Sequence, residues 1–556
     1  MSELGSYYGD MGGYADWSTV PDIELHIPAL LRYCRQHYAG NDVLVFDDRR
    51  LTYGEMDEQS AILALQLLEA GVSKATRVGV LFPNSSEFLV SWLAVVRIGA
   101  VAVPISTLSS TVELARIIRH ADLHILITAD RFLSHDYVAR LKEGFPDLAA
   151  SRQPLLLEGA PYLRQVWVWG DCAEPWARQV DLSRPSTYPR ELLERIESEV
   201  SPADVVSIIY SSGSTADPKG VIHSHGAFMR QAAKVAATYP YVEDDRVFTP
   251  MPFFWVGGLT LTLLHGMHKG MAVIGSGKSG SALLDFLERE RVTYVVGWAH
   301  LIKALTSDPT FPGRDFSSIR GGCMVEPGTG PKNQMFGNAL GMTETCGPHT
   351  LSPPDYPDSL AGSFGPPFAG MELKIVDIET GVEVPEGQTG ELLVRGDALM
   401  QGMVKIEREA VFEPDGFYRT RDVCSFREGY LFFHGRCDDM IKASGANVSP
   451  REVEAAIMAL GGVVQAIVLK VADERRGNVV GAVIALEEGT AYEAEWLRRE
   501  LAKSLSSYKV PRVIITLKPS EIPMMSSGKA DRRKLGQMLE EAHDRQVAAA
   551  MAQPAE

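Results

Sequence analysis

Short apolar runs alternate with amphipathic, helix-like segments through the first two thirds of the chain. The run RVGVLF (77–82) predicts a buried strand, and the SSEFLVSWLAVVRI that follows predicts a helix capped by Ser85 or Ser86. HILITA (124–129) and VTYVVGW (292–298) predict further buried strands beside helical patterns. Because this alternation is typical of layered proteins with parallel sheets, we predict an α/β fold.

The pattern changes in the last third of the chain. GELLVRG, GYLFFHGR and MELKIVD predict short antiparallel strands joined at glycines. A smaller α+β pattern follows: a helix over 450–460, the strands VQAIVLKV and NVVGAVIAL, the helix EAEWLRRELAKSL and the strand RVIITL. We therefore predict an N-terminal domain over 1–437 and a C-terminal domain over 438–556, with a hinge near 436–440.

Charge and composition narrow the class of protein. The 556 residues carry a net charge of −17, which argues against nucleic acid or an anionic membrane as the main partner. The most apolar stretch (88–105) contains Arg97, Gly99 and Pro104, which favours a buried helix and strand over a membrane span. Six scattered cysteines without a CxxC pair indicate a reducing cytoplasm, and the first residues do not predict a signal peptide.

One polar loop, YSSGSTADPKG (210–220), carries the clearest candidate chemistry. It nearly matches a Walker A loop, but Pro218 occupies the second glycine position and Gly220 the hydroxyl position. Its hydroxyls, its amides and Lys219 are suited to a phosphate. An apolar pair follows the loop, and a helix begins only near Ser224, whereas a Walker loop leads directly into its helix. Taken alone, a phosphate loop and a polar surface connection are equally good interpretations.

Five further motifs follow this loop. They are GNALGMTETCG (337–347), AGSFGPPFAGMELKIVD (361–377), FYRTRDV (417–423), GRCDDMIKASGANVSPREVEAAI (435–457) and IPMMSSGKADRRKL (522–535). With the loop, they resemble in type and order the core motifs of the adenylate-forming superfamily, which includes acyl- and aryl-CoA synthetases, peptide-synthetase adenylation domains and luciferases. The resemblance implies a large N-terminal multi-layer α/β domain with a small β subdomain, plus a smaller, mobile C-terminal α+β domain.

The resemblance also implies a reaction in two steps that uses ATP, Mg²⁺ and CoA. A carboxylate attacks the α-phosphorus of ATP and releases pyrophosphate, and a thiol then attacks the acyl-AMP. Lys529 would contact the α-phosphate and the incoming carboxylate. Glu344 would bind Mg²⁺ with Thr343 beside it, and Asp422 would accept hydrogen bonds from the ribose hydroxyls.

The same motifs imply roles for other residues. Thr215 would be catalytic and would contact the β- and γ-phosphates of ATP. The implied contacts to ATP also include Ser211, Ser212, Gly213, Ser214, Lys219, Leu340, Gly341 and Arg436. The implied substrate pocket contains Trp255, Gly257, Trp298, Gly322 and Met342. The implied hinge is Asp438, and the implied CoA side contains Lys442, Ser444 and Gly445.

Four features depart from the family pattern. Ala216 replaces a glycine of the loop, Leu340 replaces a tyrosine that stacks on adenine, and Trp255 replaces a histidine beside the carboxylate pocket. The segment 323–340 is short and rich in glycine and proline where the family has a helix and a strand. Because this segment walls the acyl pocket, we expect the choice of acid to be affected most.

The residues near the pocket favour an apolar acid. Phe254 and Trp255 occupy the region where peptide-synthetase domains place an aspartate for an amino group, so an amino acid is disfavoured. We predict a cytoplasmic, ATP-dependent acyl-CoA synthetase for an apolar fatty, aryl or ring-bearing carboxylic acid, with a homodimer as a common family arrangement. Two alternatives stay open: an acyl-AMP ligase that loads a carrier protein, and a non-catalytic homologue that binds nucleotide or acyl-CoA.

Overall fold

The structure is a computed structural model. In it, the chain forms two compact units. The first unit contains residues 1–372 and 394–418, and the second contains 373–393 and 419–556. The hinge predicted near 436–440 stays a prediction. Within this chain the structure describes residue 6 and residues 15–132, 135–211, 219–297, 299–324, 338–353, 356–437, 439, 441–443, 446–473, 477–505, 509–525 and 529–551.

The helices are concentrated in the first unit. They are α1 (Ile27–Tyr38), α2 (Tyr53–Glu69), α3 (Ser86–Val96), α4 (Thr111–His120), α5 (Tyr137–Gly144), α6 (Arg190–Ser198), α7 (His225–Thr238), α8 (Val256–Gly258), α9 (His265–Lys269), α10 (Gly280–Arg289), α11 (Ala299–Thr306), α12 (Arg408–Val411), α13 (Pro450–Met458), α14 (Ala494–Leu501) and α15 (Arg532–Met551). A π-helical segment, Leu259–Leu264, joins α8 to α9. No helix within the described ranges is both long and apolar enough to cross a membrane.

Strands occur throughout the chain. They are β1 (Asp42–Phe46), β2 (Arg49–Thr52), β3 (Arg77–Leu81), β4 (Val101–Pro104), β5 (Ile125–Ala129), β6 (Arg131–Phe132), β7 (His135–Asp136), β8 (Gln165–Trp169), β9 (Ala177–Gln179), β10 (Val205–Ser211), β11 (Lys219–Ser224), β12 (Arg246–Phe248), β13 (Ala272–Gly275), β14 (Tyr294–Val295), β15 (Gly321–Gly322), β16 (Ala339–Met342), β17 (Gly347–Leu351), β18 (Met371–Val376), β19 (Gly390–Gly396), β20 (Gly402–Met403), β21 (Tyr418–Arg427), β22 (Tyr430–Arg436), β23 (Ile441–Ala443), β24 (Ala446–Val448), β25 (Val463–Asp473), β26 (Gly477–Leu486) and β27 (Val513–Leu517).

Two large sheets form the framework of the first unit. The eight-stranded sheet has the order β20-β11-β10-β4-β3-β5-β8-β9, and the six-stranded sheet has the order β15-β14-β12-β13-β1-β2. Strands β3, β4, β5 and β8 pair in parallel, as their continuous apolar runs predict. Ser85 caps α3 through a hydrogen bond that its Oγ accepts from the Phe88 N–H. The α/β prediction is therefore confirmed, although the predicted strand over 292–298 is only Tyr294–Val295 long.

The second unit contains smaller sheets. Strands β25, β26 and β27 form a three-stranded sheet, and α13 and α15 both contact β25. Strands β18, β19, β21 and β22, which lie for the most part in this unit, form a four-stranded sheet. These elements confirm the antiparallel strands and the α+β pattern predicted for the last third, with the predicted helix over 450–460 observed as Pro450–Met458.

Arg97, which interrupts the most apolar stretch of the chain, is fully buried at the end of α3. Its guanidinium donates to Asp57 Oδ1 at 2.8 Å, to Glu197 Oε1 at 2.6 Å and to Ser60 Oγ at 2.7 Å. Asp57 and Glu197 are buried as well. The charge is therefore compensated on three sides, which is the condition under which a buried arginine is tolerated.

We expect Arg97→Met to lower the free energy of unfolding by about 3–5 kcal/mol, because it leaves the buried Glu197 carboxylate without its cation and removes one of the cations that face Asp57. Urea unfolding monitored by circular dichroism measures this change. Arg49→Met is the matched control, since Arg49 pairs with Glu87 at the surface and such pairs contribute about 1 kcal/mol or less. Equal losses in both variants would contradict a stabilising role of the buried network.

Candidate active site

Strands β10 and β11 hold the two ends of the candidate phosphate loop. They are antiparallel, and Ser211 lies opposite Lys219 in the register. The helix α7 begins only at His225, after β11, and Ser224 caps it. This order of strand, loop, strand and helix confirms the difference from a Walker A loop. Gly220, at the Walker hydroxyl position, lies in β11, where an added Cβ would be 3.0 Å from the side chains of Ile208, Tyr210 and Val404.

The loop itself lies outside the described residues. The predictions for Ser212, Gly213, Ser214, Thr215 and Ala216 therefore stay predictions, and for Ser211 the structure places only the backbone. The described strands establish that the loop connects two neighbouring antiparallel strands.

Glu344 lies in a short 3₁₀ turn, Thr343–Thr345, between β16 and β17. Its carboxylate is buried, with 8% of the residue exposed, and Oε1 accepts a hydrogen bond from the Tyr418 hydroxyl at 3.3 Å. The Glu344 carbonyl accepts from the Met400 N–H at 2.8 Å, which holds the turn in place. A carboxylate can accept about four hydrogen bonds or metal contacts. An oxygen ligand with this capacity fits Mg²⁺, and Glu344 is the residue that would hold the ion.

Close packing of two strands explains why the same motif has a glycine at position 341. An added Cβ at Gly341 would lie 2.5 Å from the Gly347 carbonyl oxygen, so β16 and β17 can approach here only through glycine. The neighbouring Leu340 N–H donates to Thr350 Oγ1 at 3.3 Å. These contacts fix the backbone that leads from Leu340 into Thr343 and Glu344.

A buried Cys346–His223 pair lies beside this turn, and no local sequence pattern indicates it, because the two residues are 123 positions apart. The Cys346 Sγ and the His223 Nδ1 are 3.0 Å apart, and both side chains are fully buried. Burial lowers the pKa of His223 to about 3 and raises the pKa of the Cys346 thiol. Both groups are therefore neutral, which makes the pair a structural contact below the motif and not an activated nucleophile.

The predicted ribose contacts meet in the second unit. Asp422 on β21 lies opposite Arg436 on β22, and the Arg436 Nη1 lies 2.9 Å from the Asp422 Oδ1. The Asp422 N–H donates to Thr420 Oγ1 at 3.0 Å. Asp422 is buried while Arg436 is exposed. One carboxylate oxygen therefore faces a cation, and the arrangement suits a carboxylate that also accepts from sugar hydroxyls.

Lys529 is exposed in the second unit, next to an isolated antiparallel bridge between Met524 and Ala530. The Met525 N–H donates to the Lys529 carbonyl at 2.7 Å, and the Asp531 N–H donates to the Pro523 carbonyl at 2.7 Å. Residues 526–528 lie outside the described ranges, as do Asp438, Ser444 and Gly445. Lys442 lies in β23, where its backbone alone is described.

The predicted substrate pocket is partly described. Trp255 precedes α8 and packs edge-on against Phe254, with ring centroids 5.5 Å apart, and Gly257 lies within α8. Gly322 has φ +94°, and an added Cβ would lie 2.2 Å from the Val295 carbonyl oxygen, so only glycine fits there. Met342 ends β16, and Trp298 lies outside the described residues.

Among the residues that the structure describes, no group of three or more histidine, cysteine, aspartate or glutamate side chains could hold an ion.

Two family models match the chain. Residues 31–404 match the AMP-binding enzyme model, and residues 452–529 match the C-terminal domain of the AMP-binding enzymes. The chain therefore belongs to the AMP-binding enzyme family, and the resemblance to the adenylate-forming superfamily is confirmed. It is a ligase of the acyl-CoA synthetase branch, whose members use ATP, Mg²⁺ and CoA.

Relatives and solved structures agree with this family. The putative acyl-CoA synthetase YngI of Bacillus subtilis is 29% identical over 92% of this chain and 96% of its own length. Indoleacetate–CoA ligase of Aromatoleum aromaticum is 28% identical over 90% of this chain and 95% of its own length. The anthranilate CoA ligase AuaEII, solved with anthranoyl-AMP, is similar in fold with a TM-score of 0.75, 23% identity, and coverage of 95% of this chain and all of its own.

Proposed function

We propose that this ligase activates an apolar aryl, ring-bearing or fatty carboxylic acid as its acyl-AMP and transfers the acyl group to CoA. The observation that carries the proposal is the buried Glu344 carboxylate, held by Tyr418 in the Thr-Glu turn of the second motif. A buried carboxylate with free acceptor capacity is the group that an ATP–Mg²⁺ complex requires.

Different residues of this chain would carry out different parts of the reaction. In the first unit, Lys219 and the loop before it would hold the β- and γ-phosphates, and Glu344 would hold Mg²⁺, which offsets the negative charge of the phosphates. In the second unit, Asp422 and Arg436 would orient the ribose, and Lys529 would offset the charge that develops at the α-phosphate. The acid attacks phosphorus, pyrophosphate leaves, and the CoA thiol then displaces AMP.

The walls of the acyl pocket support an apolar acid. Trp255 and Phe254 are aromatic, and Met342 is apolar. The names of two relatives, an indoleacetate ligase and an anthranilate ligase, favour a ring-bearing member of this class. We extend the proposal to a cytoplasmic location and a homodimer, on the scattered cysteines and the habit of the family respectively.

One assay separates the three candidate activities. AMP release from ATP is measured across a panel of fatty, aryl and ring-bearing acids, with CoA, with a phosphopantetheinylated carrier protein, and with neither. We expect CoA-dependent AMP release with at least one acid. AMP release that requires the carrier protein would favour the acyl-AMP ligase, and the lack of AMP with every acid would favour the non-catalytic homologue.

We expect Glu344→Gln to lower AMP formation by roughly 100-fold or more, because an amide oxygen is a weaker Mg²⁺ ligand than a carboxylate. Steady-state rates over a range of Mg²⁺ concentrations measure the effect, and the variant should require more Mg²⁺. Tyr418→Phe is the control, since it removes the phenol hydroxyl and keeps the carboxylate. A rate unchanged by Glu344→Gln would exclude Glu344 as the ligand.

A further inference from the structure

A cavity of about 80 Å³ adjoins the elements assigned to the acyl pocket. Its walls include Leu261 in the helical segment that follows Gly257, Val296 directly after β14, and Pro348 in the strand that follows the Thr-Glu turn. The cavity is thus lined by continuations of three chain segments that carry the predicted acyl-pocket residues. Thr262, which also lines the cavity, donates through Oγ1 to the Gly257 carbonyl at 3.1 Å, so the cavity lies next to one of the predicted pocket residues.

The wall of this cavity contains one histidine whose protonation state follows from its contacts. His265 is buried, with 1% of the residue exposed, and its ring stacks on Tyr241 with centroids 5.0 Å apart. Its Nδ1 lies 3.2 Å from the Leu261 carbonyl oxygen, which can only accept, so Nδ1 carries the proton. Burial lowers the pKa of His265 to about 3, so the neutral ring has no second proton for Nε2.

The Nε2 atom of His265 is therefore a buried acceptor. Nδ1 faces the backbone of its own helix, so Nε2, across the ring, points away from that helix. It has no hydrogen-bond partner among the described residues. Burying an acceptor without a donor is unfavourable, and a ligand that supplies a donor recovers that loss.

The other residues that line the cavity limit the kind of ligand that could donate a hydrogen bond to His265 Nε2. Val235, Val247 and Met271 are apolar, and the hydroxyls of Thr249 and Thr262 already contact backbone groups, so the cavity favours a carbon skeleton with few polar groups. A carbon chain or ring whose terminus bears a hydroxyl group would supply the donor that Nε2 lacks.

We propose that the acid activated by this enzyme carries a hydroxyl group at its far end, and that this hydroxyl donates to His265 Nε2. The inference rests on the proposed function and names the substrate class of the same site. His265 is then a specificity-determining residue: it favours a hydroxylated acid over an isosteric acid that places a methyl group against the bare nitrogen.

The test compares isosteric pairs of acids. One series pairs ω-hydroxyalkanoates with alkanoates in which a methyl group replaces the hydroxyl, at increasing chain length. A second pairs 3-(4-hydroxyphenyl)propanoate with 3-(4-methylphenyl)propanoate. We expect kcat/KM for AMP release to favour the hydroxylated member by roughly 10- to 100-fold at the best-fitting length. Equal values, or a preference for the methyl member, in every pair that is turned over would overturn the proposal.

Variants test whether His265 itself, and not the residues around it, causes the preference for the hydroxylated acid. His265→Phe keeps a ring against Tyr241 and should abolish the preference, and His265→Gln, which restores a polar group near the Nε2 position, should retain part of it. His268→Phe is the matched control, because His268 is equally buried on the same helix but is not among the described residues that line the cavity. A preference that survives in His265→Phe would overturn the proposal.

A binding measurement keeps the test independent of turnover. If AMP is not released with any acid, the proposed function fails, and the melting temperature of the full chain is then measured with each member of the isosteric pairs. A larger increase with the hydroxylated member in the wild-type protein, lost in His265→Phe, supports the hydroxyl contact. Equal shifts in the two proteins would exclude it.

Discussion

Lys529→Ala is expected to slow the formation of acyl-AMP by roughly 100- to 1,000-fold, because it removes a positive charge from the phosphoryl oxygens where negative charge develops. The ammonium group of lysine is a compact charge on a flexible stem, and Lys529 is exposed, so this charge is accessible to a ligand. The thiol step does not build charge on that phosphate in the same way. Thioester formation from preformed acyl-AMP should therefore change much less.

The two half-reactions are measured separately. Pyrophosphate exchange into ATP reports adenylation, and thioester formation from synthetic acyl-AMP and CoA reports transfer. Lys534→Ala is the matched control, because Lys534 belongs to the same basic run, is exposed and lies 3.8 Å from Asp531. The proposed role would be contradicted if Lys529→Ala slowed both half-reactions equally. It would also be contradicted if Lys529→Ala and Lys534→Ala slowed adenylation equally.

Acidification from pH 7 to pH 5 is expected to destabilise the protein strongly, because several histidines are buried in their neutral form. Burial lowers the pKa of four of them to about 3 and of the fifth to about 4: His223, His225, His265, His268 and His349. In the unfolded chain a histidine has a pKa of about 6.5. Below that pH the unfolded state binds protons that the folded state does not, so stability falls as the pH falls.

The size of the effect follows from the same linkage. At pH 5 each such histidine removes about 2 kcal/mol from the free energy of unfolding, and the five together remove up to about 10 kcal/mol. A typical domain is stable by about 5–15 kcal/mol, so this loss is large. Urea unfolding at several pH values between 7 and 5 measures the slope.

A single replacement tests the assignment. His268→Phe should reduce the slope by about one proton, because it removes one of the five groups that protonate only on unfolding. The absolute stability of the variant can change in either direction, and the slope is the quantity compared. A slope equal to that of the wild-type protein would show that His268 does not contribute to the acid sensitivity.

The structure confirms those predictions that rest on local chemistry. The helix start at Ser85 follows from a side-chain cap, and the short strand before His225 follows from an apolar pair after the loop. The predicted strand over 292–298 is too long, because an apolar run does not by itself show how many of its residues find a hydrogen-bonded neighbour in the sheet.

Contacts between distant residues could not be predicted in the same way. Tyr418 holds Glu344 across 74 residues of chain, and Cys346 meets His223 across 123. The motif contains Tyr418, but a tyrosine beside a predicted strand is equally consistent with packing. Periodicity and caps extend over a few residues, whereas these pairs depend on how strands and turns pack in three dimensions.

The sequence by itself determined the order of the motifs, the family and the residue types available for ATP, Mg²⁺ and CoA. Only the tertiary structure decided which of those side chains are buried and which atoms face each other. Arg97 illustrates the difference: in the sequence it is a charge that argues against a membrane span, and in the fold it compensates two buried carboxylates. His265 is another case: burial and the Leu261 carbonyl fix its proton on Nδ1, which leaves Nε2 without a hydrogen-bond partner among the described residues.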